Sequence, residues 1–184
     1  MSTPLTTWWL EMTAPEELRA APEPPADAGI TVVRAEVPSP EFGRFLYTAV
    51  GSDVSWVDRL GWPPERWRAV LGQPGHELWV AYVRGTPAGF VELGAGDPDE
   101  GSVEIVYFGL LPDFRGRGLG GHLLSYGTAR GWDLAERRPE HPPTRRVWLH
   151  TCSLDGPHAR RNYERRGFRL YDTVVEPATA ATAG

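Results

Sequence analysis

The segment VEIVYFGLLPDFRGRGLGG, residues 103–121, constrains the fold more than any other part of the chain. Its first half is rich in Val, Ile, Tyr, Phe and Leu and reads as a buried strand. Its second half places Gly116, Gly118, Gly120 and Gly121 at the opening of a helix. Small residues let backbone N–H groups converge on phosphate oxygens at the positive end of the helix dipole. Arg115 and Arg117 add charge at the same mouth. The expectation is a strand, an anion cradle over Arg115, Gly116, Arg117, Gly118, Leu119, Gly120 and Gly121, and a helix, together binding a pyrophosphate-bearing cofactor.

Three kinds of glycine loop compete for this segment. A Walker-type loop needs Lys followed by Ser or Thr, and all 19 basic residues here are Arg. Gly116, Gly118 and Gly121 do fit the G-x-G-x-x-G of a dinucleotide-binding unit. That motif expects an acidic residue closing the next strand about 20 residues on, a distance that here lands in the polar run RRPEHPP of residues 137–143. The third pattern, R-x-x-G-x-G after strand-Pro-x-x, is met by Arg115, Gly118 and Gly120. It resembles the acyl-CoA loop of the GNAT superfamily of N-acetyltransferases. Downstream, Tyr163-Glu164-Arg165-Arg166-Gly167-Phe168 is similar to the Y-E-x-x-G-F that ends the last major helix of that superfamily, with Ala159 one turn before the tyrosine. Upstream, the run from Glu104 to Leu110 resembles the catalytic strand of its histone-acetyltransferase branch. The resemblance covers residues 30–173. It implies an α/β fold: a mixed, mostly antiparallel central sheet of six to seven strands, splayed between the domain's fourth and fifth strands and flanked by about four helices.

The rest of the sequence sets limits. A length of 184 residues suits one domain, and 41% hydrophobic residues with eight Trp can build a sizeable core. A net charge of −5 argues against a nucleic-acid partner. No 18-residue apolar run and no signal-peptide pattern is present, so the expectation is a cytoplasmic protein with no membrane partner. The single Cys152 excludes an internal disulfide, and the five His show no metal-ligand spacing, so no metal is implied. The chain reads as a strand-like segment and Pro/Ala-rich linker over 1–29, a GNAT-like domain over 30–176, and a flexible tail over 177–184. Strands are expected at 30–37, 77–84, 88–94, 145–153 and 168–175 besides the central one, with helices at 40–50, 63–71, 118–137 and 157–166. The usual plan has a seventh strand hairpinned to the sixth, which this chain lacks at its C-terminal end. Residues 6–12 are expected to substitute as an edge strand, in their own subunit or a partner's, or else to lie over the domain as a flap. The molecule is read as a monomer or a homodimer.

Acetyl transfer to an amine needs a neutral amine, a stabilised oxyanion and a proton for the departing thiolate. Glu104, on an apolar strand, is the candidate base, with partial desolvation raising its pKa; the alternative is a surface carboxylate. The resemblance makes Tyr163 the general acid, against the alternative of a tyrosine packed at a helix end. It also implies that the backbone of Phe108, Gly109, Leu110 and Leu111 holds the pantetheine arm of acetyl-CoA, the co-substrate. The superfamily often has Asn three residues before the matched Ala159; Gly156 stands there, and Asn162, the only Asn, could serve instead. His150 and Cys152 share one strand face and invite a reading as base and nucleophile, outweighed by Cys as a small buried hydrophobe. The pairs Arg160, Arg161 and Arg165, Arg166 could reach the nucleotide phosphate or lie on a solvated face. For the acceptor, Trp56, Trp62 and Glu92 are candidates, an aromatic wall with a carboxylate suiting a cationic amine.

The expected activity is an acetyl-CoA-dependent N-acetyltransferase acting on a small-molecule amine in a ternary complex. The alternatives are a protein or peptide acetyltransferase and a catalytically silent acyl-CoA-binding module.

Overall fold

Alternating apolar runs pair into one sheet in the computed structural model, which describes residues 4–96 and 100–177. Its strands are β1 (Leu5–Met12), β2 (Ile30–Arg34), β3 (Glu77–Val83), β4 (Thr86–Ala95), β5 (Ser102–Leu110), β6 (Arg146–Cys152) and β7 (Arg169–Glu176). Five helices join them: α1 (Pro40–Gly51), α2 (Pro64–Leu71), α3 (Leu119–Trp132), α4 (Leu134–Arg137) and α5 (Ala159–Arg165). The single helix expected over 118–137 breaks at Asp133, which caps α3 and opens α4. Residues 178–184 of the tail expected over 177–184 lie outside the described residues.

The strand order is β2-β3-β4-β5-β6-β1-β7, and every neighbouring pair is antiparallel except β5 with β6. This is the mixed, seven-stranded sheet of the GNAT fold. The N-terminal strand corrects the expectation of an edge position. It lies within the sheet of its own chain, between β6 and β7, with Trp8 opposite both Thr151 and Thr173. Leu10 and Met12 are fully buried on one face, while Trp9 stacks on Trp148 on the other. A strand apolar on both faces belongs inside a sheet, whereas β7 is exposed along its whole length and forms the edge.

Helix α3 covers one face of the sheet through Leu119, Leu123 and Leu124, which pack with Val91, Val103, Ile105 and Leu149. Helix α1 covers the other through Leu46 and Val50, against Val80 and Phe90. Ser39 caps α1, its side chain accepting from the Phe42 N–H at 3.2 Å, with Pro40 at the first helical position.

Residues 13–29 run across the outside of α3 and the α5–β7 corner. The Arg19 N–H donates to the Arg166 carbonyl at 2.9 Å, and the Ala21 N–H to Ser125 Oγ at 2.8 Å. Gly167 sits under this crossing at φ +104°, and a Cβ there would lie 2.0 Å from the Glu17 carbonyl oxygen. Both the backbone conformation and the contact require glycine. Gly167→Ala is expected to destabilise the protein by about 2–3 kcal/mol, checked by urea unfolding; an unchanged midpoint would mean that the crossing segment is not held against this corner.

Candidate active site

Strands β5 and β6 pair only over Ser102–Glu104 and Arg146–Trp148, then part. Two residues further, Val106 is an extra residue opposite β4, where Glu92 pairs with Tyr107 and Leu93 with Ile105. Such a bulge bends a strand and resets which side each residue faces. Val103 and Ile105 therefore join Phe108 and Leu110 toward α3, while Tyr107 turns toward α1. The parted strands open a cleft of about 1090 Å³. The backbone of Ile105 to Leu110 forms one wall, the residues from Leu149 to Cys152 the other, and the loop after α1 overhangs the mouth with Ser55, Trp56 and Asp58.

One end of the cleft is the glycine loop. Gly116 and Gly118 adopt φ +74° and +81°, and a Cβ on either would meet nothing within 4 Å. Gly118 caps α3, and among the described residues the N–H groups of Leu119, Gly120 and Gly121 have no hydrogen-bond partner. An open turn in front of three free N–H groups at a helix start fits a pyrophosphate. Arg161 and Arg165 of α5 also line the cleft, whereas Arg160 is paired with Glu164 at 2.8 Å.

The expected cofactor-binding residues stand differently toward the cleft. Arg115 lines the cleft with its guanidinium already engaged: it bridges to Asp53, donates to the Val50 carbonyl at 3.2 Å, and its Nε donates to the Leu110 carbonyl at 3.0 Å. The Arg115 hydrogen bond holds the Asp53 carboxyl below the usual carboxylate range. This side chain pins the loop after α1 to the end of β5. Leu111 points away, its N–H donating to the Ala88 carbonyl at 2.9 Å. The Leu119 side chain is core, leaving only its N–H for the cleft. Arg117 is exposed and stands outside the lining. Phe108, Gly109, Leu110, Gly116, Gly118, Gly120, Gly121 and Asn162 all line the cleft.

Tyr163 faces the cleft from α5 at 8% exposure, its ring edge-on to Phe108 at 6.1 Å and to Phe168 at 6.3 Å. Burial raises its pKa, and the nearby Asp155 charge adds to this, so the phenol keeps its proton across the neutral range. Glu104 lies outside the cleft lining and meets His150 Nδ1 at 3.4 Å; His150 does line the cleft. Cys152 shares that wall, but burial pushes its thiol up, which disfavours a thiolate nucleophile. The shared face of His150 and Cys152 follows from strand alternation, whereas the Glu104 partner depends on the parallel register of β5 and β6.

The acceptor wall also differs from expectation. Trp56 lines the cleft, edge-on to Tyr107 at 4.7 Å. Trp62 and Glu92 do not reach it. They belong to a buried cage that holds the chain's own Arg59, 5% exposed, whose guanidinium lies 4.7 Å from the Trp62 ring centre and 4.5 Å from that of Tyr107. Arg59 Nη1 donates to Glu92 Oε2 at 2.9 Å. His76 Nε2 is 3.1 Å from Glu92 Oε1, close enough to attract but outside hydrogen-bonding geometry. Burial pushes the Glu92 carboxyl up, yet His76 and Arg59 outweigh it and hold the group below the usual carboxylate range. The cation suited to this aromatic wall is internal.

A sequence model of the acetyltransferase (GNAT) family matches residues 44–168. Among solved structures, a GCN5-related N-acetyltransferase from Kribbella flavida is similar at 22% identity and a TM-score of 0.60, covering 95% of this chain and 61% of that one. One from Sphaerobacter thermophilus is similar at 21% identity and a TM-score of 0.62, covering 95% and 51%. An aminoglycoside acetyltransferase from an uncultured soil sample shares 14% identity and a TM-score of 0.57, covering 76% and 88%. The chain thus spans between half and two thirds of the first two structures. No curated protein matches. At these identities the structural likeness speaks to the fold.

Proposed function

This chain belongs to the acetyltransferase (GNAT) family, and from that premise we propose that it transfers an acetyl group from acetyl-CoA to the primary amine of a small molecule by direct attack in a ternary complex. The observation that carries this reading is a cleft that has the open glycine turn at one end and the buried phenol of Tyr163 beside the parted strands. The N–H groups of Leu119, Gly120 and Gly121 would hold the pyrophosphate, with Asn162 alongside. The wall from Phe108 to Leu110 would hold the pantetheine arm. Acetyl-CoA supplies an acetyl group activated as a thioester. Tyr163 holds a proton at its phenol oxygen for the departing sulfur, as its raised pKa allows. Glu104 supplies the basic charge for the amine from behind the His150 wall of the cleft, whose lining also includes Asp58 and Trp56, where an amine that is cationic in solution would find negative charge and an aromatic face.

The test separates binding from chemistry. Tyr163→Phe removes the transferable proton and keeps the ring packing against Phe108 and Phe168. It should lower turnover by about 10²-fold and leave CoA affinity unchanged, read by thiol release and by calorimetry. Loss of both in proportion would make Tyr163 a residue that positions the cofactor.

A further inference from the structure

We propose that His150 is the residue through which Glu104 reaches the acceptor amine, the two forming a carboxylate–imidazole dyad whose imidazole, not the carboxylate, faces the cleft. The inference rests on the acetyltransferase reading and refines it. Three observations carry it. Glu104 is outside the cleft lining, whereas His150 lines it with 46% of its side chain exposed. His150 Nδ1 is 3.4 Å from Glu104 Oε1, so the nitrogen turned to the carboxylate is settled and Nε2 is left for the cleft. The imidazole is also held on one side: Trp9 of β1 lies against it at 5.0 Å, tilted by 35°, and Trp9 in turn stacks on Trp148 at 5.6 Å. The inserted N-terminal strand thereby contributes a wall that fixes a side chain at the site.

The arrangement is that of a base oriented by a third group. The proton leaves the acceptor ammonium for His150 Nε2, while Nδ1–H stays turned to the Glu104 carboxylate at 3.4 Å, which stabilises the imidazolium without accepting the proton. The neutral nitrogen then forms the new C–N bond as the C–S bond breaks, and Tyr163 supplies a proton to the sulfur. The proton that the nitrogen sheds on becoming an amide restores the phenol by way of solvent, while the His150 imidazolium returns its proton to solvent. The charges facing His150 are Glu104 on β5, Asp155 in the turn after β6 and Asp58 on the loop after α1, all acidic; Cys152 is on its own strand face. Chiefly through the adjacent Glu104 carboxylate, which outweighs burial, they raise its pKa above the ordinary value.

The test has two readouts. In the ligand-free protein, the His150 ring signals, assigned by their loss in His150→Gln, should titrate above about 6.5 and shift down in Glu104→Gln. With acetyl-CoA and whichever primary amine of a panel of spermidine, phenethylamine and kanamycin gives most thiol release, wild-type kcat/KM should rise through the pKa seen in the ring signals. Glu104→Gln should move that kinetic midpoint down in step. His150→Gln should abolish it and lower turnover by about 10²-fold, with CoA affinity unchanged. A midpoint that survives in His150→Gln, or ring signals indifferent to Glu104→Gln, would overturn the dyad while leaving the acetyltransferase reading intact. Wild-type protein that binds acetyl-CoA but releases no thiol with any amine would remove both.

Discussion

Gly118→Val will leave the protein folded and weaken CoA binding by about 10³-fold. The residue caps α3 at φ +81°, a conformation that costs a β-branched side chain about 1–3 kcal/mol, small beside a typical stability of about 5–15 kcal/mol. Its Cβ would meet no protein atom within 4 Å, so the valine clashes with nothing in the fold. The space it enters lies in front of the N–H groups of Leu119, Gly120 and Gly121. Losing two hydrogen bonds to a charged phosphate, at about 1.5–3 kcal/mol each, gives the stated factor. Calorimetry with CoA, beside a melting curve for the variant, checks it. Unchanged affinity in a folded variant would place the pyrophosphate elsewhere.

Arg59→Met should be the most destabilising single change in the acceptor half, at about 3–5 kcal/mol. Methionine roughly keeps the volume of the Arg59 stem but strands the Glu92 carboxylate, 2% exposed, with only His76 near it. Because Glu92 is held below the usual carboxylate range, its contribution is present above the unfolded pKa of about 4.3 and is lost as pH falls through the lower folded value. Wild-type stability should therefore fall on acidification through that window, and the variant should show less of that fall. Arg59→Met with Glu92→Leu should recover much of the loss, since a buried pair replaced on both sides is far less costly than one broken on one side. Urea unfolding of the three proteins at neutral and acid pH decides it; a single variant as stable as wild type would mean that Glu92 is not dependent on Arg59.

What the sequence made legible was local. Strand β5, the glycine turn and the start of α3 follow from apolar residues and small residues within a 19-residue stretch, and the Y-E-x-x-G-F pattern marks the helix that brings Tyr163 to the cleft. What it concealed depends on pairing between distant residues. The place of β1 is set by contacts such as Thr7 with Cys152, and nothing in residues 5–12 says which strands they will join. The bulge at Val106 exists only relative to β4, so strict alternation along β5 puts Tyr107 on the wrong face. Arg59 reads as an ordinary loop arginine, because a cage assembled from Trp62, Trp67, Tyr107 and Glu92 has no spacing in sequence. That is why Trp62 and Glu92 looked like acceptor residues.

The most direct measurement is amine-dependent thiol release by the wild-type protein from acetyl-CoA, with the products weighed by mass spectrometry. The predicted result is one CoA thiol per acetylated primary amine, no acetyl group left on the protein, and a rate about 10²-fold lower in Tyr163→Phe. Saturable CoA binding with no thiol released by any amine would contradict it and leave a chain that holds the cofactor without using it.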